Sequence, residues 1–554
     1  MKKISLLLIF TLFSATMLFA QSWVSRYNGI RKGIDVIKAL VVDDAGNVYV
    51  TGYSSSTSNG FDYLTIKYNS NGATQWTARY NGPANEMDEA KSIFVDPSGN
   101  VYVTGTIDAF SGDFINGNAA TIKYSPQGQQ LWVAIYDDGF GREDAGNSVK
   151  VDAAGNVYIT GYTSIFHLGY ADQDYLTIKY NSDGVMQWKD TYNGPVSEDD
   201  NAVAMSLDPS GNIYVTGFNF SGNDPIGEKN YFTIKYNPSG VRQWTAEYNG
   251  PISEVDIATA LAVDNNGNAY VTGYSDGTTD FDYATIKYNT NGKQKWVARY
   301  NGPANGFDIA YAIAVDDAGN VYVTGGDEKT AYNGDYLTIK YSPSGNVKWT
   351  ARYAGSGGDN DEAYAIAVDK SGNVYVTGNE NGFVYNSNIG TVKYSSSGVE
   401  QWVKIYDGPR DSVDAGNAIA VDALGNVYVG GVSTAKNSVD FTTIKYPAGS
   451  TPVADKISTE KENEPFAISY NYPNPFSQNT TIKFDVNAGS DTPVNVKLMV
   501  YNIQGKEVAS LINEFLKSGS YEVNWNARDF PGGIYFYKLF SGESIEIQKM
   551  ELIK

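Results

Sequence analysis

The sequence predicts an all-β chain, an eight-bladed β-propeller followed by a small β-sandwich, and three periodic series predict it. The phrase Gly-Asn-x-Tyr-Val/Ile-Thr/Gly-Gly begins at Gly46, Gly99, Gly155, Gly211, Gly267, Gly319, Gly372 and Gly425. The phrase Thr-Ile/Val-Lys-Tyr begins at Thr65, Thr121, Thr177, Thr233, Thr285, Thr338, Thr391 and Thr443. Tryptophan recurs as Trp23, Trp76, Trp132, Trp188, Trp244, Trp296, Trp349 and Trp402. Each series has eight members spaced 52 to 56 residues apart, and a fixed period of that length marks a repeat architecture.

Each unit holds four short β-patterned runs separated by turn residues. In the sixth unit these are strand a (Ala312 to Val315), strand b (Val321 to Thr324), strand c (Thr338 to Tyr341) and strand d (Lys348 to Tyr353). The turns Asp316 to Asn320 and Ser342 to Gly345 supply glycine for a left-handed residue. A lone four-stranded sheet cannot bury both faces, whereas radial stacking buries them and protects the edges. Alanines alternate with Ile or Val on strand a and suit the narrow centre, while Trp and Tyr of strand d fill the wider gap at the rim. The repeat region opens with a d-type strand (Trp23 to Tyr27) and closes with a c-type strand (Thr443 to Tyr446). Pairing the two ends makes an eighth blade, which favours eight blades over the alternative of seven, and over an open solenoid with a bare edge.

On the Val-Asp-x-x-Gly-Asn-x-Tyr-Val-Thr-Gly and Thr-Ile-Lys-Tyr phrases, residues 22–446 resemble the bacterial β-propeller repeat family often described as seven-bladed. The resemblance implies the fold and no single activity, and the copy number here departs from seven.

Residues 1–20, with Lys2 and Lys3 before an apolar run ending in Leu18-Phe19-Ala20, read as a signal peptide. The propeller is expected over 21–446, and no later segment is apolar enough to span a bilayer. The absence of cysteine excludes lipid attachment at an N-terminal Cys and any disulfide staple. A net charge of −21 argues against nucleic acid or anionic lipid as partner. With 14% aromatic residues and only 19% charged, the composition is that of an ordered β protein.

Residues 447–465, rich in Pro, Ser, Thr, Glu and Lys, read as a linker. Residues 466–554 hold alternating strands with Gly and Pro turns, enough for an Ig-like β-sandwich. On the residues alone this is an appended sandwich, with a carbohydrate-binding module as one reading. Its Tyr472-Pro473-Asn474-Pro475-Phe476 start and its Gly532-Gly533-Ile534-Tyr535 resemble the type A sorting domain of the type IX secretion system of Gram-negative bacteria. That resemblance implies the outer-membrane secretion machinery as partner and export across both membranes, to the outer cell surface or the medium.

Catalytic equipment is sparse. With one histidine, His167, and no Cys, neither a thiol nor a multi-His metal site is available. No phosphate loop or Gly-x-Ser-x-Gly elbow is present, so no catalytic residue, metal or cofactor is expected. One Asp series (Asp35, Asp88, Asp144, Asp200, Asp256, Asp308, Asp361, Asp414) lies eleven residues before each turn glycine and reads as backbone capping between units, with cation binding as the alternative. A second (Asp43, Asp96, Asp152, Asp208, Asp264, Asp316, Asp369, Asp422) ends strand a. The recurring lysines of strand c (Lys67, Lys123, Lys179, Lys235, Lys287, Lys340, Lys393, Lys445) need partners if partly buried, and Asp–Lys pairs with the second series are expected.

Function is expected where the units differ. The b–c loops of units two, three and four are longer than the rest and carry Phe110, Phe114, Phe166, His167, Tyr170 and Phe220, an aromatic patch or rings folded onto their own loops. These features favour a non-enzymatic scaffold for an extracellular protein or glycan. The alternatives are a polysaccharide-active enzyme with paired carboxylates and a structural adhesin or matrix component.

Overall fold

The computed structural model describes residues 22–554 apart from 30–32, 57–59, 109–116, 140–142, 168–169, 197–198, 222–227, 253, 331–332, 356–359, 381–386, 411, 436–437, 450–455, 459–465, 487–492, 504–505 and 542–543. The expected signal segment lies outside the described residues. The chain divides into a unit ending at Ile457 and a second, Ser458–Lys554.

Every described element is a β-strand or a turn. The described residues of the first unit form eight antiparallel sheets, six of them made of four consecutive strands side by side, and unit six runs Asp308–Val315, Val321–Thr330, Asn333–Tyr341 and Val347–Tyr353. The a–b turn reverses on Gly319 at φ 76°, a left-handed conformation that glycine adopts without a Cβ clash. The sheet of unit seven takes Lys456–Ser458, from the segment expected to be a linker, as a fifth strand. In the eighth sheet Asp414–Val421, Val427–Ala435 and Ser438–Tyr446 are completed by Trp23–Tyr27 from the other end of the repeat region, in register from Trp23↔Lys445 to Tyr27↔Phe441. Each a strand lies against the a strand of the next unit, and Asp414–Val421 lies against Asp35–Val42.

The hydrophobic core sits between sheets, not within them. Tyr49 and Tyr63 of unit one pack with Ile93, Val101, Val103 and Ile122 of unit two, and Tyr428 and Phe441 of unit eight pack with Val48, Val50 and Ile66 of unit one. Along each joint an indole spans the gap: Trp76 Nε1 donates to the Pro126 carbonyl in the c–d turn of unit two at 3.0 Å, and Trp23 donates to Ser70 O of unit one at 3.2 Å. The indole needs a flat floor there. Gly128 (φ 82°) provides it, since a Cβ on this residue would lie 2.6 Å from Trp76 Cγ.

The second unit has two sheets. Phe466–Tyr472, Asn479–Val486 and Gly519–Asn526 form one, and Glu507–Leu516, Val494–Asn502, Gly533–Ser541 and Ser544–Leu552 form the other, each written in spatial order. Ile482, Phe484 and Trp525 of the first meet Val496, Leu498, Tyr537 and Leu552 of the second in one core.

The joints make stability depend on the indole more than on its hydrogen bond. Trp76→Phe should cost about 1 kcal/mol, the net worth of one hydrogen bond, and Trp76→Ala about 3 kcal/mol through the cavity it leaves. Denaturant midpoints of the two variants check the order, and equal losses would contradict it.

Candidate functional site

The repeated carboxylates are consumed in building. Each Asp of the second series folds its own turn: Asp43 Oδ1 accepts the N–H groups of Ala45 and Asn47 at 3.0 and 2.8 Å, and Oδ2 accepts the Asn47 amide at 2.8 Å and the Tyr49 hydroxyl at 3.0 Å. The same four bonds recur at Asp96, Asp152, Asp208, Asp264, Asp316, Asp369 and Asp422, with Tyr–Asp distances of 2.8 to 3.1 Å throughout. Burial would raise these carboxyls, but the Asn amide, backbone N–H and Tyr donors outweigh it and hold Asp152, Asp264, Asp316 and Asp369 below the ordinary value.

The expected Asp–Lys pair is therefore displaced by a tyrosine between the two. Lys67 stands over the Tyr49 ring at 4.9 Å, and its ammonium donates to Pro126 O at 3.5 Å, the carbonyl that Trp76 also holds. Lys123, Lys179, Lys235, Lys287, Lys340 and Lys445 repeat this, each sharing its carbonyl with the Trp of the same unit, while Lys393 stands over Tyr375 at 5.2 Å. Of these series only Lys235 and Asp208 come within ion-pair distance among the described residues, at 4.0 Å.

The first Asp series caps the loops that join units. Gly29 N–H donates to Asp35 at 2.7 Å, Gly82 to Asp88 at 2.6 Å, and Gly250 to Asp256 at 2.6 Å, with Gly194 bonded likewise to Asp200. Burial pushes Asp88 and Asp200 up to about 7 and Asp144 and Asp414 to about 6. Asp308 rises further, to about 8, because Asp327, a carboxylate where units one, five and eight carry Ser, adds its charge to the effect of burial.

Phe110 and Phe114 of the expected patch lie outside the described residues. Phe166, His167 and Tyr170 belong to the hairpin of Val157–His167 and Tyr170–Tyr180, where His167 pairs with Tyr170. Phe220 is half-buried and folds onto its own hairpin, with the Lys229 ammonium over it at 5.1 Å and over Phe218 at 4.6 Å.

A second departure from symmetry lies inside strand a. Every a strand carries a bulge at the same place, which leaves Lys38, Lys91, Asn147, Val203, Thr259, Tyr311, Tyr364 and Asn417 without an opposite residue. A bulge re-aims one side chain. Six of the eight reach the next unit, as Lys38 does to Glu89 at 2.8 Å, Lys91 to Asn147 at 3.2 Å, Thr259 to Ala310 O at 2.7 Å and Asn417 to Ile37 O at 2.8 Å. Except for Ile37, the residues on either side are Ala, Gly or Ser in every unit, and the residue between them varies.

These bulge positions have two characters. In units one to three the character is ionic, with Tyr162 donating to Glu143 at 2.8 Å beside Lys91. In units five to seven it is aromatic and acidic. Tyr311 and Tyr364 stand edge-to-face at 5.4 Å, and Tyr364 donates to Glu362 at 2.9 Å. Tyr274 is close enough to raise the Tyr311 hydroxyl pKa, behind the larger effects of burial and Glu362. Tyr274 packs on Phe281 at 4.8 Å, and Phe281 on Phe307 at 5.6 Å. Phe307 is 44% exposed, and its carbonyl accepts the Glu328 N–H at 3.1 Å. Three rings beside the d–a loop (Phe307, Phe281 and Tyr274) and the Tyr311–Tyr364 pair at the bulges thus lie in one sector with Glu328 and Glu362, and the Tyr274–Phe281 contact recurs in unit one as Tyr53–Phe61. A separate cleft of about 470 Å³ between the a–b turns of units six and seven is lined mainly by repeated groups, Asp316, Tyr322, Lys340 and Asp369 among them.

The β-propeller repeat family matches residues 23–61, 75–110, 243–282, 348–383 and 401–437, and the secretion system C-terminal sorting domain family matches residues 471–554. The chain carries β-propeller repeats and ends in a type IX secretion sorting domain, which directs export to the cell surface or the extracellular space. An uncharacterized WD repeat-containing protein of Acanthamoeba polyphaga mimivirus is 25% identical over 356 residues, 53% of this chain and 24% of that protein, so the chain spans about a quarter of that relative's length. Among solved structures, polysaccharide lyase Uly1 is 11% identical with a TM-score of 0.42, covering 76% of this chain and 91% of that one. An ulvan lyase bound to an oligosaccharide is 13% identical with a TM-score of 0.37 over 78% and 96%. An endo-arabinase from Bacteroides thetaiotaomicron is 10% identical with a TM-score of 0.25 over 46% and 94%.

The two Asp series predict the pH response of the fold. Between 3.8 and the raised values of Asp88, Asp144, Asp200, Asp308 and Asp414, the folded chain holds protons that the unfolded chain has released, so stability falls as pH rises. The turn carboxylates held below 3.8 act in the opposite sense, and their contribution is lost as pH falls below that value. The melting midpoint should therefore be highest at about pH 4 to 5 and decline toward pH 8. Calorimetry across that range checks it, and a midpoint that rises toward pH 8 contradicts it.

Proposed function

We propose that the chain is an exported eight-bladed propeller acting as a non-enzymatic binding scaffold, and that it takes an extracellular glycan or protein on the aromatic sector of units five to seven. The observation that carries this reading is the gathering of Phe307, Phe281 and Tyr274 with the Tyr311–Tyr364 pair, of which Phe307, Tyr311 and Tyr364 stand at positions where no other unit carries a ring outside this sector. Aromatic rings beside carboxylates suit stacking on a sugar or an apolar side chain with hydrogen bonds at the rim. The loops bearing Phe110, Phe114, Phe166, His167 and Tyr170 are the second candidate contact.

The eightfold ring in this reading is supported by the pairing of Trp23–Tyr27 with Ser438–Tyr446 and by the bonds from Trp23 and Lys445 to Ser70 O. The C-terminal unit is read as an immunoglobulin-like sandwich that serves export. A polysaccharide-active enzyme is the second reading. Glu328 and Glu362 favour it, since they stand beside this aromatic sector and Glu328 is raised by burial and by its acidic neighbours.

Glycan and protein arrays probed with the exported chain test the site. Phe307→Ala with Tyr364→Ala should weaken binding about tenfold or more while the melting midpoint stays near that of the parent. Undiminished binding would move the site to the loops of units two to four. Cleavage of a bound glycan, lost in Glu328→Gln, would decide for the enzyme. Deleting residues 22–29 should lower the melting midpoint by several degrees, about what the loss of a paired strand brings, and an unchanged midpoint would remove the ring closure.

A further inference from the structure

Outside unit seven, the d strand is the outer edge of its sheet, with every second backbone N–H and C=O turned away from its neighbour. Such an edge is a template for pairing, and charged side chains along it keep other strands off. Seven of the eight d strands carry at least one charge, as Arg79, Arg299 and Arg352 show in units one, five and six. Gln130–Tyr136 of unit two carries none. It has Ile135 where those three units have arginine, and Leu131 where unit one has Gln75. Leu131 is 51% exposed and Ile135 43%. Leu131 also stands at a bulge of the c–d pairing, which leaves it without an opposite residue in strand c.

Unit seven shows what accompanies an isoleucine at this position. Its d strand, Glu400–Asp407, has Ile405 in the place of Ile135, and its outer side is the one that takes a further strand, Lys456–Ser458. Ile405 is half-buried there. Among the described residues no strand of the chain lies on the outer side of Gln130–Tyr136. A second copy of the same strand fits it. Antiparallel pairing about a twofold axis at Val133 sets Ile135 of each copy opposite Leu131 of the other, and opposed apolar side chains of this kind stabilise a strand pair. Charge selects the same place. A chain of net charge −21 repels its copies, and the approach is least costly where the facing strands are neutral. The axis also sets Asp137 opposite Gln129, so no two carboxylates face each other across it.

We infer that Gln130–Tyr136 is a contact between two copies of this chain: the edge of unit two pairs antiparallel with the same edge of a second copy about an axis at Val133, making one eight-stranded sheet across two molecules. The contact uses none of the residues of the aromatic sector in units five to seven, so a pair of chains presents that sector twice to a ligand with repeated features.

Sedimentation velocity of the full chain over a rising concentration series tests the contact. The mass should climb from that of one chain toward twice that value, and more readily in high salt, where the like charges of the copies are screened. Leu131→Gln with Ile135→Arg gives unit two the residues that unit one carries as Gln75 and Arg79. The sheet should still fold, with a melting midpoint near that of the parent, and the mass should stay at one chain throughout. The chain has no cysteine, which makes a single introduced thiol diagnostic. Val133→Cys sets two thiols opposite each other at the axis, within reach of a disulfide, and mild oxidation should link most of the chains in pairs. Thr77→Cys, at the equivalent place in unit one, should stay unlinked. A single-chain mass at every concentration would overturn the contact, as would a dimer that survives the double substitution. A dimer lost in the double variant without linkage through Val133→Cys would mean that this edge pairs with some other segment, and would overturn the self-pairing.

Discussion

A single carbonyl oxygen in the c–d turn is the point on which the repeat region depends. In seven of the units the indole N–H and the lysine ammonium of one sheet converge on that oxygen in the next, at 3.0 to 3.3 Å and 2.9 to 3.5 Å. The indole donates to no group of its own sheet, and the lysine meets there a tyrosine face and, at Lys235, Asp208 at 4.0 Å, so the neighbour's carbonyl completes both. The lysine is the more demanding of the two, because a half-buried ammonium without partners costs several kcal/mol. The tyrosine face, the neighbour's carbonyl and the nearby Asp together meet that demand, and the charge is spread along a line that crosses the joint.

This arrangement uses up the chemistry that recurs. The hydroxyls of Tyr49 and its equivalents, the turn carboxylates, and the indole and lysine of seven units have structural partners, and their recurrence follows from the recurrence of the joint. The capping carboxylates are costlier, since burial drives them toward the neutral form, and the fold tolerates them because each satisfies a loop N–H that would otherwise be stranded. Groups free to serve a ligand are those that escape the pattern, and the strand a bulge is where the backbone makes room for them at no cost to the surrounding alternation.

How much of this was legible in the sequence follows from which signals are periodic. The strands, the turn glycines and the Trp series repeat, and the sheets fall where those residues place them. The expected Asp–Lys pair comes within ion-pair distance at Lys235–Asp208, while Asp264, Asp316 and Asp422 raise Lys287, Lys340 and Lys445 by their charge and a tyrosine ring lies under each lysine. Proximity follows from strand direction, whereas the choice of partner depends on Tyr49 and its equivalents, six residues after each Asp, whose hydroxyls reach the carboxylate first. The bulge was hidden because strand a reads as uninterrupted alternation, and one extra residue is visible only against the partner strand. In the C-terminal unit the motifs were legible as words, but nothing in their spacing tells that Phe476 and Gly533 both pair with Leu552.

The five-residue strand Trp23–Tyr27 also has a consequence for how the protein is made. It precedes its partner, Ser438–Tyr446, with the other described strands of the repeat units between the two in chain order. Throughout synthesis the nascent chain must keep this segment from pairing elsewhere, and brevity helps, because a short edge strand is a poor template for stray association. A chain stopped before Ser438–Tyr446 thus leaves Trp23–Tyr27 without its partner strand, and that edge open.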